Sequence, residues 1–330
     1  MNTVDTKHKI YLLIGIALSM FFLWLAFRKI SFSEIAAMLT SVRPGYLCLL
    51  ALLAPLDFLI RGLRLKVLLS GFGNLPAAAT IRITAIGFAL NNILPFRLGE
   101  LSRVALLSKE HNLPFTGVLA TILAERLLDV MTICAVFLCT VRMSPGFAEL
   151  PSFIQTASLL LPALAIGAAA VAWGSHIVTR AENSKFALNH PRIHALLDKF
   201  ATATHALRCP LTGLKAALLS IALWLLSGSA FFVGGLALGL EPPISYGQSV
   251  FLMCATALVS VIPAAPGYFG TFEFAVKKLA TGWGYSAEAG VALAALVHLT
   301  LYIAVVCLGL LCLYWSGKKI RQLLVSLPQS

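Results

Sequence analysis

Long apolar runs recur from one end of the chain to the other, at 10–27, 46–60, 117–141, 157–173, 214–240 and 287–315. A helix of ~20 residues, rising ~1.5 Å per residue, crosses a ~30 Å hydrocarbon layer, so these runs read as membrane spans. Hydrophobic residues make up 59% of the chain and charged residues only 12%, about half the charged share of a soluble domain. That balance excludes a water-soluble fold. Lys7-His8-Lys9 before the first run resembles the start of a secretory signal. The run closes on Phe27-Arg28-Lys29 without a small-residue cleavage pattern, so an uncleaved first span is expected.

The formal net charge of +12 does not point to nucleic acid, because no basic stretch is interleaved with exposed aromatics. Lys and Arg fall between the spans, where topology and anionic lipid headgroups account for them. The seven cysteines lie mostly inside apolar runs and never as C-x-x-C, so they read as packing or lipid-facing residues. No metal or other cofactor is expected.

Two apolar regions resist being drawn as simple spans. Region 81–109 carries Asn91, Asn92, Pro95, Arg97, Gly99, Glu100 and Arg103 in its middle, and region 245–280 is interrupted at Pro263, Pro266, Gly267 and Gly270. Proline removes a backbone donor and glycine permits backbone other residues resist. Irregular backbone at membrane depth survives only inside protein or beside a wet cavity. Each region is therefore a span with a broken end or a re-entrant hairpin. The positive-inside rule favours the hairpins: with both re-entrant, 18 Lys and Arg, Arg61, Arg64 and Arg103 among them, fall inside and six outside. The fold class is then an all-α polytopic membrane protein. It has about six full transmembrane helices plus two re-entrant or broken helical hairpins, eight hydrophobic segments in all, with both termini cytoplasmic.

The order span, span, hairpin, span occurs twice, and an odd number of crossings per half inverts the second half. Residues 1–330 read as one integral membrane domain, with half-repeats 1–145 and 146–330. Inverted repeats with paired broken helices are a transporter plan that holds substrate between the halves. In the polar segment 175–210, Ile193, Leu196, Leu197, Phe200 and Leu207 recur at helical spacing. This fits a cytoplasmic interfacial helix or a solvated linker helix.

Charges inside a bilayer cost a few kcal/mol each by insertion scales and so mark candidate sites. Glu125 and Asp129 share a helix face, and Arg126 reaches Asp129 at i,i+3; a structural ion pair and a substrate route both fit. In the first hairpin Arg97 and Arg103 suit a phosphate oxyanion, with Glu100 as partner of either arginine or of an amine, and Asn92 before the break. In the second, Glu273 is expected to pair across the halves with Arg97, Arg103 or Arg126, while Lys277 and Lys278 snorkel to the interface. Asp57 and Arg61 read as a helix-end salt bridge with a topology signal. His298 and Tyr302 share a face, as a packing pair or a proton relay.

Three motifs together resemble the lysylphosphatidylglycerol synthase transmembrane family, also called flippase-like. They are Asn92-x-x-Pro95-x-Arg97-x-Gly99-Glu100-x-x-Arg103, Glu125-Arg126-x-x-Asp129, and Pro263-x-x-Pro266-Gly267-x-x-Gly270-x-x-Glu273. The resemblance runs from about Ile10 to Gly317. It implies movement between leaflets of an amphiphile with a phosphate-bearing headgroup: an anionic or aminoacylated phospholipid, or a polyprenyl-linked lipid, in a bacterial-type inner membrane. On that resemblance Arg97, Glu100, Arg103, Glu125, Arg126, Asp129 and Glu273 fall on motif positions. No aminoacyl-transfer domain is expected after Gly317, so a separately encoded synthase would supply an aminoacylated lipid. His298 stands where an arginine is expected, which bears on the headgroup. Two other readings stay open: a membrane-embedded transferase using a lipid-linked donor, for which Asp-x-Asp and His-x-x-x-x-Asp are both missing, and a proton-coupled solute carrier.

Overall fold

A computed structural model describes residues 17, 19–28, 30–94, 98–141, 209–259 and 266–317, whose regular structure is all helical, with no strand among them. The helices are α1 (19–27), α2 (Phe32–Thr40), α3 (Pro44–Leu68), α4 (Ala77–Ile93), α5 (Leu98–His111), α6 (Phe115–Val141), α7 (Pro210–Leu238), α8 (Tyr246–Val259), α9 (Thr271–Gly282) and α10 (Ala287–Trp315). The expected span 157–173, nearly all of segment 175–210, the first 16 residues and the basic tail after Gly317 lie outside the described residues.

Among the described residues, three helices are long and apolar enough to cross a membrane: α3 with its 3-10 extension to Phe72, α7 and α10, each of 29 residues. Their ends follow from local chemistry. Prolines open α3 and α7 at the first helical position, where the missing donor costs nothing. Ser286 caps α10 by accepting from the Ala289 amide at 3.0 Å, a contact of about 1 kcal/mol. Gly239, at φ 62°, ends α7 with the Leu240 amide turned back to the Gly235 carbonyl. Leucines at helical spacing, including Leu52, Leu56 and Leu59 on α3 and Leu211, Leu214 and Leu218 on α7, stay exposed. That outward stripe suits hydrocarbon as its solvent. Helix α6 has 27 residues but carries Glu125, Arg126 and Asp129 midway. Helix α2, which the apolar periodicity did not announce, links α1 to α3.

Both interrupted regions fold back on themselves. In the first, a Cβ on Gly87 would meet the Arg103 side chain at 2.2 Å and one on Gly99 would meet the Gly87 carbonyl at 2.0 Å, so α4 and α5 run antiparallel. In the second, Phe251 of α8 and Trp283, just past α9, bring their rings to 5.8 Å. Of the longer helices, α3 and α7 run antiparallel to each other, while α10 packs on α4 and α6 on α8. Asp57 and Arg64 of α3 meet Ser227 and Ser220 of α7. Gly309 of α10 lies against Ala85 and Ala89 of α4, and Phe137 of α6 stacks on Phe251 of α8 at 5.0 Å.

The Lys277 ammonium donates to the carbonyls of Leu25, Ala26 and Arg28 at 3.3, 2.7 and 3.4 Å. Carbonyls at the end of a helix have no partner within it and attract a cation. Gly99 and Gly309 have no room for a side chain. Gly99→Val is expected to lower stability by about 1–3 kcal/mol through overpacking, while Gly45→Ala, with nothing within 4 Å, leaves it unchanged. Thermal unfolding in detergent distinguishes them.

Candidate functional site

The polar centre begins with two stripes. Asp57, Arg61 and Arg64 on α3, and Ser220, Trp224 and Ser227 on α7, each follow i, i+4, i+7, which puts each set on one face. The antiparallel helices bring the stripes together. Ser227 donates to Asp57 at 3.3 Å, the Arg61 guanidinium lies 5.7 Å from the Trp224 ring, and Arg64 donates to Ser220 at 2.9 Å.

Helices α5 and α6 complete a buried ionic network. Arg64 reaches Asp129 at 2.7 Å and Glu125 at 3.2 Å. Arg103 donates to the other Glu125 oxygen at 2.8 Å. Arg126 contacts Glu125 at 2.8 Å, Asp129 at 3.2 Å and Glu100 at 3.6 Å. Trp224 adds an indole donor to Asp129 at 3.1 Å. The side chains of Arg64, Arg103 and Glu125 are 0% exposed. Arg61 is paired with Asp57 at 2.6 Å and lies 4.6 Å from the centre of the Phe88 ring, which Arg103 and Arg126 approach to 5.7 and 6.0 Å. Four arginines thus face four carboxylates. Buried charges persist only when matched in this way.

A second polar centre sits at the other hairpin. Glu273, the third residue of α9, accepts from the Gly270 amide at 2.6 Å and meets His298 Nδ1 at 2.7 Å. The imidazole stacks against Phe269 and Phe272 at 4.6 and 4.4 Å. The turn before α9 requires glycine at 267 and 270, with φ of 79° and 92°, and Tyr268 shares the left-handed region at 60°.

Between the two centres lies an open cavity of about 310 Å³. Its walls come from α3, α4, α7, α8, α10, the glycine turn and the first residues of α9. Polar groups reach it from Asp57, Arg61, Asn92, Ser227, His298 and Tyr302; aromatic rings from Phe58, Phe88, Trp224, Tyr268 and Phe272 cover much of the rest. Tyr302 also donates to the Asn92 carbonyl at 3.4 Å, tying α10 to the end of α4.

The sequence-predicted residues divide by place. Asn92 and Gly267 line the cavity. Arg103, Glu125, Arg126 and Asp129 come together, with Glu100 at the edge, but the network takes up Arg103, so among the described residues of this cluster no guanidinium is left without a carboxylate partner. Glu273 pairs with His298, not with Arg103 or Arg126, because α9 packs along α10. Gly99 and Gly270 serve close packing, the latter against Ser19 and Leu23 of α1. Pro95, Arg97 and Pro263 lie outside the described residues, and Pro266 opens the 3-10 turn. Arg61, Arg64 and Arg103 had been counted as charges on the inner side; they are interior residues, held there by Asp57, Glu125 and Asp129. The polar stripe on α7 was missed, although its spacing inside an apolar run was the available signal. Among the described residues, no group of three His, Cys, Asp or Glu side chains is arranged to hold a metal.

The family described as the lysylphosphatidylglycerol synthase TM region matches residues 12–309. The chain is 24% identical over 231 residues to the UPF0104 membrane protein MJ1078 of Methanocaldococcus jannaschii, covering 70% of this chain and 95% of that protein. It is 23% identical over 306 residues to the glycosyltransferase AglD of Haloferax volcanii, covering 81% of this chain and 48% of that protein, so it spans about half that relative's length. No solved structure matches. The chain belongs to the lysylphosphatidylglycerol synthase TM family, a membrane protein with a lipid-related function.

Glu125→Gln would leave two buried guanidinium groups short of charge. It is expected to cost about 3–5 kcal/mol, against little for Glu100→Gln at the partly exposed edge. Unfolding midpoints of the two purified variants check the difference.

Proposed function

We propose that this member of the lysylphosphatidylglycerol synthase TM family is a lipid translocase, carrying a phosphate-bearing headgroup between leaflets while the acyl chains stay in the bilayer. The observation that carries the reading is the open, aromatic and polar cavity between the broken helices at Asn92 and Gly267. A headgroup needs a polar path through hydrocarbon, and irregular backbone at depth is tolerated where it lines such a path. Among the described residues Arg61 is the arginine that lines the cavity, where it has Asp57 as partner, and it is taken as a phosphate contact beside the wall's hydroxyl groups. Arg97 and Asn92 remain headgroup candidates from their sequence positions.

The packing supports an inverted repeat of half-repeats 1–145 and 146–330 and a total of eight hydrophobic segments. Exchanging α3 with α7, α4 with α8, α5 with α9 and α6 with α10 turns the list of packed pairs among these eight helices into itself; α2, which packs on α10, has no counterpart among the described residues. The first partners, α3 and α7, run antiparallel, as an in-plane two-fold requires. Rocking of the halves about the cavity would expose it alternately. The expected setting is a bacterial-type inner membrane with both termini cytoplasmic, an anionic, aminoacylated or polyprenyl-linked lipid as substrate, and a separately encoded synthase as possible supplier.

Reconstitution tests this directly. Fluorescent phospholipids in proteoliposomes are expected to change leaflet faster than in empty vesicles, and Ser227→Trp, which fills the cavity, is expected to abolish the gain without unfolding the protein. Exchange equal to that of empty vesicles, across anionic and aminoacylated headgroups, would count against a translocase. Headgroup transfer by the purified protein would favour the transferase reading.

A further inference from the structure

The Glu273–His298 pair has no counterpart in the ionic network of the first half, yet it occupies the matching place. Glu273 is the third residue of α9 as Glu100 is of α5. His298 lies 25 residues beyond Glu273, the separation that also divides Glu100 from Glu125. Where the first half holds its carboxylates with arginines, which stay charged at all physiological pH, the second uses a histidine, the side-chain type that changes charge near neutrality. The imidazole also lines the cavity, whereas Arg64, Arg103 and Glu125 do not.

We propose that Glu273 and His298 form a proton-binding site that couples proton movement to the passage of the headgroup phosphate through the cavity. This rests on the translocase reading. With Glu273 ionised, Nδ1 carries the hydrogen shared with the carboxylate, and Nε2 takes up one proton from water on one side of the membrane. The bound form is a neutral imidazolium–carboxylate pair. Release of that proton to the other side leaves an uncompensated carboxylate beside an anionic phosphate, which repels it in the low dielectric of the cavity. Proton and phosphate therefore enter together and leave together, and net lipid flow follows the proton toward the more alkaline side.

The surroundings favour this assignment. Around the imidazole stand Phe269 and Phe272 and, as titratable groups, Tyr302 on α10 and Tyr268 in the glycine turn. Asp57 and Arg61, already paired, are the charged groups that α3 contributes to the cavity wall. Helices α4 and α7 contribute Phe88, Asn92, Trp224 and Ser227 to the cavity, none of them titrating near neutrality. Lys277 on α9 lies about two turns away, beside Gly290, bound to the α1 carbonyls, and Glu288 accepts from the Ser31 amide at 3.4 Å near the same end. Glu273 also caps α9 through Gly270, in a turn with three residues at positive φ. A change of charge at the pair is thus felt at the hinge of the second hairpin.

The test uses proteoliposomes with the membrane potential clamped by potassium and valinomycin, and a headgroup-labelled phosphatidylglycerol as probe. The quantity read is the ratio of leaflet exchange under an imposed pH gradient to exchange at symmetric pH. Wild type is expected to give a ratio above one for movement toward the alkaline side. Glu273→Gln, whose amide oxygen still caps Gly270, and His298→Gln are both expected to bring it to one. Exchange that ignores the gradient in wild type, runs toward the acidic side, or keeps its gradient response in both variants overturns the coupling and leaves the translocase standing. Exchange absent from wild type for every headgroup overturns both. A lipid-free readout stands beside it: in detergent, the imidazole NMR signal that His298→Gln removes is expected to move with pH between ~5 and ~8. A signal that stays fixed across that range overturns the proton site by itself.

Discussion

Glu125, fully buried and held by Arg64, Arg103 and Arg126, is the interaction on which the rest of the structure depends. It joins α3, α5 and α6 through charges that cannot be left unpaired, and Asp129 extends the link to α7 through Trp224. In hydrocarbon the hydrophobic effect gives apolar helices little reason to prefer one another, so packing and polar contacts decide their arrangement. Replacing such a network by apolar residues need not destabilise a protein, whereas breaking it by removing one member does. Its value here is geometric: it sets which face of each helix turns inward, and so where the cavity opens.

The two hairpins are held differently. The first is locked, with Arg103 extended along Gly87 into the carboxylates of α6 and Gly99 pressed on the Gly87 carbonyl. The second hangs on one carboxylate, one histidine and a turn with three positive φ angles. A fixed wall and an adjustable wall on opposite sides of one cavity suit a substrate site that must change its exposure. Charged residues gather in the first hairpin and glycines in the second. The charge of the described part of the first hairpin, however, does structural work that leaves Arg61, among the described residues, as the arginine at the wall.

Much of the fold was legible in hydropathy. The run 287–315 coincides with α10, the runs 117–141 and 214–240 fall within a few residues of α6 and α7, and 46–60 stops eight residues short of the end of α3. Both hairpins were readable because proline and glycine interrupted runs too polar to cross simply. Partners across the bundle were not readable. Arg61 and Arg64 looked like charges at a span's end because lysine follows them, yet the apolar pattern continues through Leu65, Val67 and Leu68, the sign that the helix stays buried. Glu273 was assigned an arginine partner by symmetry, but the second half carries histidine at the matching position, and chemistry there departs from the repeat. Ser220, Trp224 and Ser227 gave no signal as residue types, only as a spacing.

Photo-crosslinking with a phospholipid that carries a diazirine in its headgroup tests the central claim, that the headgroup travels between the hairpins, most directly. Mapping of labelled peptides is predicted to find attachment at cavity residues such as Trp224, Thr256 and Phe272. Attachment confined to the outward stripe of Leu211, Leu214 and Leu218, with none at the cavity, would contradict it.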